Sequence, residues 1–167
     1  MKIFVTVGTT QFEDLIQLIC KPSVLQVFYN QGYTHITIQI GTGSFEPPSQ
    51  CPIKGMTWEC YRKKPSIKED IISADLMITH AGAGSIFETL KLGKKLIAVP
   101  NESLMGNHQL ELAKALEGTG NLISARICNF EQVISDPSIF QKILTLKPMN
   151  LSNTQAFPNI VEETLLI

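Results

Sequence analysis

The sequence predicts an α/β fold of Rossmann-like type, a parallel sheet with helices on both faces. Two observations predict it. Short apolar, β-branched runs alternate along the chain with helical stretches, and the connections between them are short. The runs are continuously apolar rather than alternating, which is typical of parallel strands buried on both faces.

The first half of the chain supplies three of the expected strands. The run 3–7 is followed by a helical stretch over 12–30, which Lys21-Pro22 interrupts. A second strand over 34–40 ends at a glycine, and a proline-containing loop leads to a short strand around 56–60. Ser66 and Glu69 then have the spacing of a capping box, which predicts a helix through residue 73.

The second half repeats the alternation. Strands are expected over 75–79, 95–100 and 122–125, and helices over 85–92 and 107–117. The rest of the chain indicates short helices divided by three prolines. We expect one domain over 1–167, because neither a linker nor an internal repeat divides it.

Composition excludes several classes of protein. The chain has 167 residues, 44% of them apolar, and a formal net charge of −1. A charge near zero disfavours nucleic acid and charged membrane surfaces as partners. No apolar run reaches the roughly 20 residues of a membrane span. The apolar N-terminal run ends at Gly8, too early for a signal peptide. We therefore expect a soluble, cytosolic protein.

Cysteine and histidine spacing argues against a metal centre. The four cysteines form no C-x-x-C pair, and no two of the three histidines have the spacing of a zinc site. We expect reduced thiols and no metal.

Parallel sheets of this kind bind ligands at the carboxyl ends of their strands. The clearest candidate is the turn 79–88, which runs from a strand through Gly82, Ala83, Gly84 and Ser85 into a helix. Its glycines would let a phosphate approach the helix N-terminus. Two other readings stay open: the glycines serve helix–strand packing only, or Ser85 and Glu88 form a capping box.

Two more polar turns are expected at the same edge. Gly8, Thr9 and Thr10 follow the first strand and could present hydroxyls and backbone N–H groups, although Thr10 could instead be a helix N-cap. Asn107, an N-cap candidate, precedes His108 and Gln109, which a solvated helix start would also explain. The convergence of three such turns favours a binding site.

Five segments in this order carry a family resemblance: 5–10, 66–71, 74–76, 80–85 and 107–113. With them the chain resembles the family 28 glycosyltransferases, and among these the catalytic subunits of two-subunit UDP-N-acetylglucosamine transferases. The resemblance is strong over 1–117 and loose beyond. It implies the donor-binding half of a GT-B enzyme, with inverting chemistry and no required metal or cofactor.

The resemblance also implies substrates and a partner. The donor would be UDP-GlcNAc and the acceptor dolichol-diphosphate-GlcNAc, which receives its second N-acetylglucosamine in N-glycan precursor synthesis. Such transferases need two facing domains, and 167 residues make about half of that. We therefore expect a heterodimer with a membrane-anchored subunit that carries the acceptor domain and recruits this chain to the cytosolic face of the endoplasmic reticulum.

By the same resemblance, residues 82–85 hold the donor diphosphate and Glu88 binds the ribose hydroxyls. Residues 107–109 face the donor sugar, and residues 8–10 look across the cleft toward the acceptor. His80 stands where bacterial relatives often carry arginine, and a neutral imidazole there would offer only a hydrogen bond.

The general base is not identified by sequence. Glu13 and Asp14 are the nearest acids, although a solvated helix start explains them better, and the base would then lie on the partner.

An apolar stripe over 158–167 predicts a last helix that docks either on its own domain or on the partner. Two rival functions are a non-catalytic UDP-sugar-binding relative and an unrelated doubly wound enzyme. The sequence contains neither the dinucleotide nor the Walker fingerprint, which argues against the second.

Overall fold

The structure, a computed structural model, describes residues 1–103 and 108–149. Within them lies a six-stranded sheet, parallel throughout, in the order β3-β2-β1-β4-β5-β6. The strands are β1 (Lys2–Thr6), β2 (His35–Gln39), β3 (Thr57–Tyr61), β4 (Leu76–His80), β5 (Lys95–Val99) and β6 (Ile123–Ser124). The sequence prediction of six strands and of a parallel sheet is confirmed.

Strand β1 lies at the centre of the sheet. Its Ile3 pairs with Ile36 of β2 on one side and with Leu76 of β4 on the other. The chain winds outward from β1 in one direction to β3 and in the other to β6, so the order of the strands reverses between β1 and β4. This is the topological switch point at which such sheets bind ligands.

Helices connect the strands and cover the sheet. They are α1 (Glu13–Ile19), α2 (Pro22–Asn30), α3 (Lys68–Ser73), α4 (Ala83–Lys91), α5 (His108–Gly118), α6 (Phe130–Ser135) and α7 (Pro137–Leu144). The predicted break at Lys21-Pro22 separates α1 from α2, because proline is placed well in the first turn of a new helix. Helix α4 begins at Ala83, two residues before its predicted start.

Each face of the sheet has its own apolar core. Helices α1, α2, α6 and α7 pack on one face, where alternate strand residues such as Val5 and Ile38 point. Helices α3, α4 and α5 cover the other face, around Phe4 and Met77. Both cores contain fully buried strand residues. This explains the continuously apolar strands, because residues of both parities must be apolar.

The C-terminal helices α6 and α7 belong to the first of these cores. Phe130, Ile134 and Phe140 are buried there, and the Phe140 ring meets that of Phe28 edge to face, with centroids 6.1 Å apart. Beyond α7, Lys147 N–H donates to the Gly120 carbonyl oxygen at 2.9 Å. The predicted last helix, 158–167, lies outside the described residues.

The predicted capping box of Ser66 and Glu69 does not form. The helix begins at Lys68, so Ile67 and not Ser66 is at the N-cap position, and Ile67 makes no side-chain capping bond. The Ser66 hydroxyl accepts a hydrogen bond from Lys68 N–H at 3.3 Å, not from Glu69 N–H. The helix itself, ending at Ser73, is where the sequence predicts it.

Within residues 1–103 and 108–149, no helix is long and apolar enough to cross a membrane. No group of three or more histidine, cysteine or acidic side chains in these residues is placed to hold a metal ion. The four cysteines are free thiols. Burial, followed by the neighbouring Cys60 and Cys51, raises the pKa of Cys20 to about 12.

Gly41 should be much more sensitive to substitution than Gly93. Both have positive φ, 64° and 68°, but a methyl group at Gly41 would overlap the Thr10 carbonyl oxygen, whereas at Gly93 it meets nothing within 4 Å. Gly93→Ala therefore costs only backbone strain, about 1 kcal/mol. Gly41→Ala adds a backbone clash and should cost at least about 3 kcal/mol. Urea unfolding of both variants measures the difference, and equal losses would contradict this packing.

Candidate functional site

A buried polar network underlies the carboxyl ends of the central strands. The Thr6 hydroxyl donates to Gln39 Oε1 at 2.5 Å and accepts from Gly8 N–H at 2.9 Å. The Thr79 hydroxyl donates to the Thr6 carbonyl oxygen at 3.0 Å. All three side chains are buried. The network fixes where β1, β2 and β4 end, and our sequence analysis did not find it, because these residues look like ordinary strand positions.

The turn after β1 contains the predicted residues 8–10. Gly8 has φ +64°, and Thr9 is exposed. The Thr10 hydroxyl donates to the Val7 carbonyl oxygen at 2.8 Å, which closes the turn. The alternative prediction that Thr10 is the N-cap of the next helix is wrong, because α1 begins at Glu13 and the residue before it, Phe12, is at the N-cap position.

His80 joins this turn to the next one. Its ring is buried at the end of β4, and a methyl group added at Gly8 would lie 3.0 Å from His80 Cε1. A methyl group at Gly82 would lie 2.5 Å from His80 Nε2. Both glycines are therefore required by the imidazole between them. Gly82 therefore has a packing role, which is one of the two alternatives that the sequence left open for this turn.

The protonation of His80 follows from its surroundings. Burial lowers the pKa of the imidazole, and a hydrogen bond to the Thr6 backbone only partly opposes that effect. His80 Nδ1 lies 3.3 Å from Thr79 Oγ1, whose own proton goes to the Thr6 carbonyl. This network assigns the proton to Nδ1 and leaves Nε2 as an acceptor. The ring is therefore neutral at pH 7, as we expected of an imidazole without a cationic role.

The turn after β4 opens helix α4. Gly82 is at the N-cap position, and Ser85 is the third residue of the helix. The capping-box alternative for Ser85 and Glu88 is therefore wrong, because both lie inside a helix that has already begun. Glu88 is half-buried, and its carboxylate has no hydrogen-bond partner among residues 1–103 and 108–149.

Gly84 differs from Gly82 in its surroundings. It is exposed, and a methyl group there would meet no atom of residues 1–103 and 108–149 within 4 Å. Glycine inside a helix costs about 0.5–1 kcal/mol relative to alanine. The backbone N–H groups of Ala83, Gly84 and Ser85 belong to the first helical turn, where N–H groups lack intrahelical partners. The bare backbone at Gly84 leaves these donors open to a close approach.

The turn after β5 is organised by Asn101, which we did not single out from sequence. Asn101 is buried, and its backbone N–H donates to Gln109 Oε1 at 3.0 Å. Its side chain accepts from Ser103 N–H and Oγ and donates to the Gln11 carbonyl at 3.5 Å. His108 is exposed, 4.0 Å from Glu111. Asn107 lies outside the described residues.

A cleft with a volume of about 480 Å³ lies between the first and third turns, and Thr10–Asp14, Asn101 and Ser103 line it. Of its two acids, Glu13 is already engaged: Oε1 accepts from Ser44 N–H at 2.5 Å and from Ser44 Oγ at 2.7 Å. These bonds lower the pKa of Glu13. A carboxylate so occupied is a poor general base.

The turn after β1 is therefore in contact with both of the other turns that carry predicted site residues. His80 joins the turn after β1 to the turn after β4, and Asn101 joins the turn after β1 to the turn after β5. The glycosyltransferase family 28 C-terminal domain matches residues 2–164.

The chain belongs to glycosyltransferase family 28. Among solved structures, this family 28 chain is similar to an NMR solution structure of ALG13, with a TM-score of 0.72 and 24% identity, covering 99% of this chain and 97% of that one. It is similar also to Acinetobacter baumannii MurG, with a TM-score of 0.65 and 16% identity, covering 99% of this chain and 50% of that one. The fold is that of a GT-B C-terminal domain.

Relatives in sequence carry the name UDP-N-acetylglucosamine transferase subunit ALG13. The human protein is 52% identical over 120 residues, which are 72% of this chain and 10% of the human protein. The Yarrowia lipolytica protein is 31% identical over 118 residues, 70% of this chain and 60% of that protein. The family 28 chain thus spans about a tenth of the human relative's length and about three fifths of the yeast relative's.

The pKa of His80 predicts how stability depends on pH. In the native state the pKa of His80 lies below its ordinary value of 6.5, whereas in the unfolded chain the imidazole has that ordinary value. The unfolded chain therefore binds more protons as the pH falls. The free energy of unfolding should therefore fall as the pH drops from 7 to 5, and His80→Gln should lose that part of the decrease. Urea unfolding at several pH values measures it, with His35→Gln as the matched control. An unchanged pH profile in His80→Gln would contradict a buried, neutral imidazole.

Proposed function

We propose that this chain is the UDP-GlcNAc-binding, catalytic subunit of an inverting glycosyltransferase that adds the second N-acetylglucosamine to dolichol-diphosphate-GlcNAc. In this proposal a membrane-anchored subunit supplies the acceptor domain and recruits the chain to the cytosolic face of the endoplasmic reticulum. Membership of family 28 supports the transferase activity, and the names of the relatives support the donor and the existence of a second subunit.

The observation that carries the proposal is the bare N-terminus of α4. Gly84 sits in the first turn of this nine-residue helix with open space where a side chain would be. A helix N-terminus carries a partial positive charge and free N–H donors, both of which suit a diphosphate. A glycine that destabilises the helix and contacts no other part of the described chain is explained if a phosphate oxygen comes close to its backbone.

The other contacts follow from that position. Glu88, one turn further along the same helix, accepts hydrogen bonds from the ribose hydroxyls, which fits a carboxylate without a hydrogen-bond partner in the described part of the chain. The donor sugar is bound by Asn107, His108 and Gln109, the residues that the family resemblance implies. Thr9 and Thr10 look toward the acceptor, from the turn that His80 holds next to α4.

The reaction is a single displacement at the anomeric carbon. The acceptor 4-hydroxyl forms the new bond as the bond to the UDP oxygen breaks, and the configuration inverts. Negative charge develops on the leaving diphosphate, and the first turn of α4 stabilises it there. The proton of the acceptor hydroxyl must go to a base. Ser44 occupies Glu13, and Asp14 is an exposed acid in the first turn of α1, as a solvated helix start explains. We therefore assign this base to the partner subunit.

A second candidate function is a UDP-sugar-binding protein without catalysis. The engaged Glu13 favours it, since the acid nearest the first turn is not free to act as a base. Such a protein would share the diphosphate and ribose contacts and would differ only in transfer.

The diphosphate contact predicts opposite effects of Gly84→Ala on stability and on binding. The added methyl group should raise the free energy of unfolding by about 0.5–1 kcal/mol, because alanine favours the helix. It should also weaken UDP binding about tenfold by blocking the backbone, as measured by titration calorimetry. Gly118→Ala, in the last position of α5 and equally open, is the matched control and should leave UDP affinity unchanged. Unchanged affinity in Gly84→Ala would exclude the phosphate assignment.

Catalysis is tested by co-expression with a candidate membrane-anchored subunit, followed by a transfer assay with UDP-GlcNAc and a lipid diphosphate-GlcNAc acceptor. We expect a product with one added N-acetylglucosamine, and about a tenfold lower rate at limiting UDP-GlcNAc with Gly84→Ala. Gly118→Ala again serves as the control. A chain that binds UDP but yields no product with any such partner would support the non-catalytic alternative.

A further inference from the structure

We propose that Asn101 is a positioning residue for the donor-sugar part of the site. It acts through the orientation of Gln109 and through the wall of the cleft between the first and third turns. This inference rests on the proposed function, because it concerns how that function distinguishes UDP-GlcNAc from UDP.

The first step is the orientation of the Gln109 amide. The Asn101 backbone N–H can only donate, so the Gln109 atom 3.0 Å from it must be the carbonyl oxygen Oε1. The Gln109 NH₂ group therefore points away from Asn101 and keeps its two donors for other partners. A site built this way offers the Gln109 NH₂ group to the sugar as a hydrogen-bond donor.

The second step is what holds the Asn101 backbone in place. Asn101 is 7% exposed, and Oδ1 accepts from Ser103 N–H at 3.2 Å and from Ser103 Oγ at 2.6 Å. Nδ2 reaches the Gln11 carbonyl, in the turn after β1. One buried amide thus ties the loop after β5 to the loop after β1. Truncating it leaves buried polar groups without partners, which is costly enough to move a loop.

The third step is the chemistry of the cleft beside it. Asn101 and Ser103 line this cleft together with Glu13 and Asp14. Two carboxylates repel a diphosphate, whereas they suit the hydroxyls of a neutral sugar. The diphosphate contact lies instead on α4, which follows a different strand. Asn101 should therefore affect binding of the sugar and not binding of UDP.

The test compares two ligands, UDP and UDP-GlcNAc, by calorimetric titration of the full chain. In Asn101→Ala the ratio of the Kd for UDP-GlcNAc to the Kd for UDP should rise about tenfold over wild type, with the Kd for UDP unchanged within about twofold. Asn121→Ala is the matched control. Asn121 Nδ2 also donates to a backbone carbonyl, that of Lys147, at 3.2 Å, but it lies beyond α5, away from the cleft.

A second variant keeps the test decisive if Asn101→Ala does not fold. Ser103→Ala removes the hydrogen bond from Ser103 Oγ to Asn101 Oδ1, and it changes neither Gln109 nor the charge of the cleft. It should keep the Kd for UDP within about twofold of wild type while the Kd ratio rises, by less than in Asn101→Ala. A ratio that stays at the wild-type value in either folded variant, or equal loss of both ligands, would overturn the positioning role.

The outcomes also separate this inference from the proposed function. A wild-type chain that binds neither ligand contradicts both. Binding of both ligands by wild type, loss of UDP affinity in Gly84→Ala and an unchanged ratio in Asn101→Ala contradict the positioning role alone.

Discussion

Burial of the central strands on both faces is the constraint on which the rest of the structure depends. Strands β1 and β4 lie between two helical layers, so nearly every side chain along them must be apolar. Polar chemistry is therefore confined to the strand ends and the turns that follow. The buried hydroxyls of Thr6 and Thr79 are hydrogen-bonded to the Gln39 side chain and to the neighbouring backbone. The candidate site lies at the strand ends because the buried strands cannot hold unpaired polar side chains.

The three turns of the site depend on one another through side chains that a ligand does not need to touch. The neutral imidazole of His80 packs between the turns after β1 and β4, and the buried amide of Asn101 links the turns after β1 and β5. Gly82 and Gly84 illustrate the distinction. The first glycine makes room for His80, whereas the second has no neighbour of this kind among the described residues. Two glycines of one short motif thus have different structural surroundings.

Sequence reasoning predicted the fold well because its signals are local. The continuous apolar runs, the break at Lys21-Pro22 and the glycines after strands all depend on neighbouring residues, and each marks a feature of the structure. It predicted the candidate site less well. Ser85 and Glu88 have capping-box spacing, yet the helix begins at Ala83, a start that only the turn's geometry shows. Asn101 looks like an ordinary loop residue in the sequence. Its side chain bonds to Gln11, which is distant in sequence, and its bond to Gln109 is made by its backbone N–H and not by its side chain.

The central position of β1 has a consequence for how the chain folds as it is synthesised. Its register with β4 pairs Ile3 with Leu76, so one edge of β1 stays unpaired until more than seventy residues have been made. During that interval the apolar strands β1 and β2 have exposed hydrogen-bonding groups and an incomplete helical cover. Contacts of such sequence separation also slow folding. The nascent chain is therefore most prone to aggregate before β4 emerges from the ribosome.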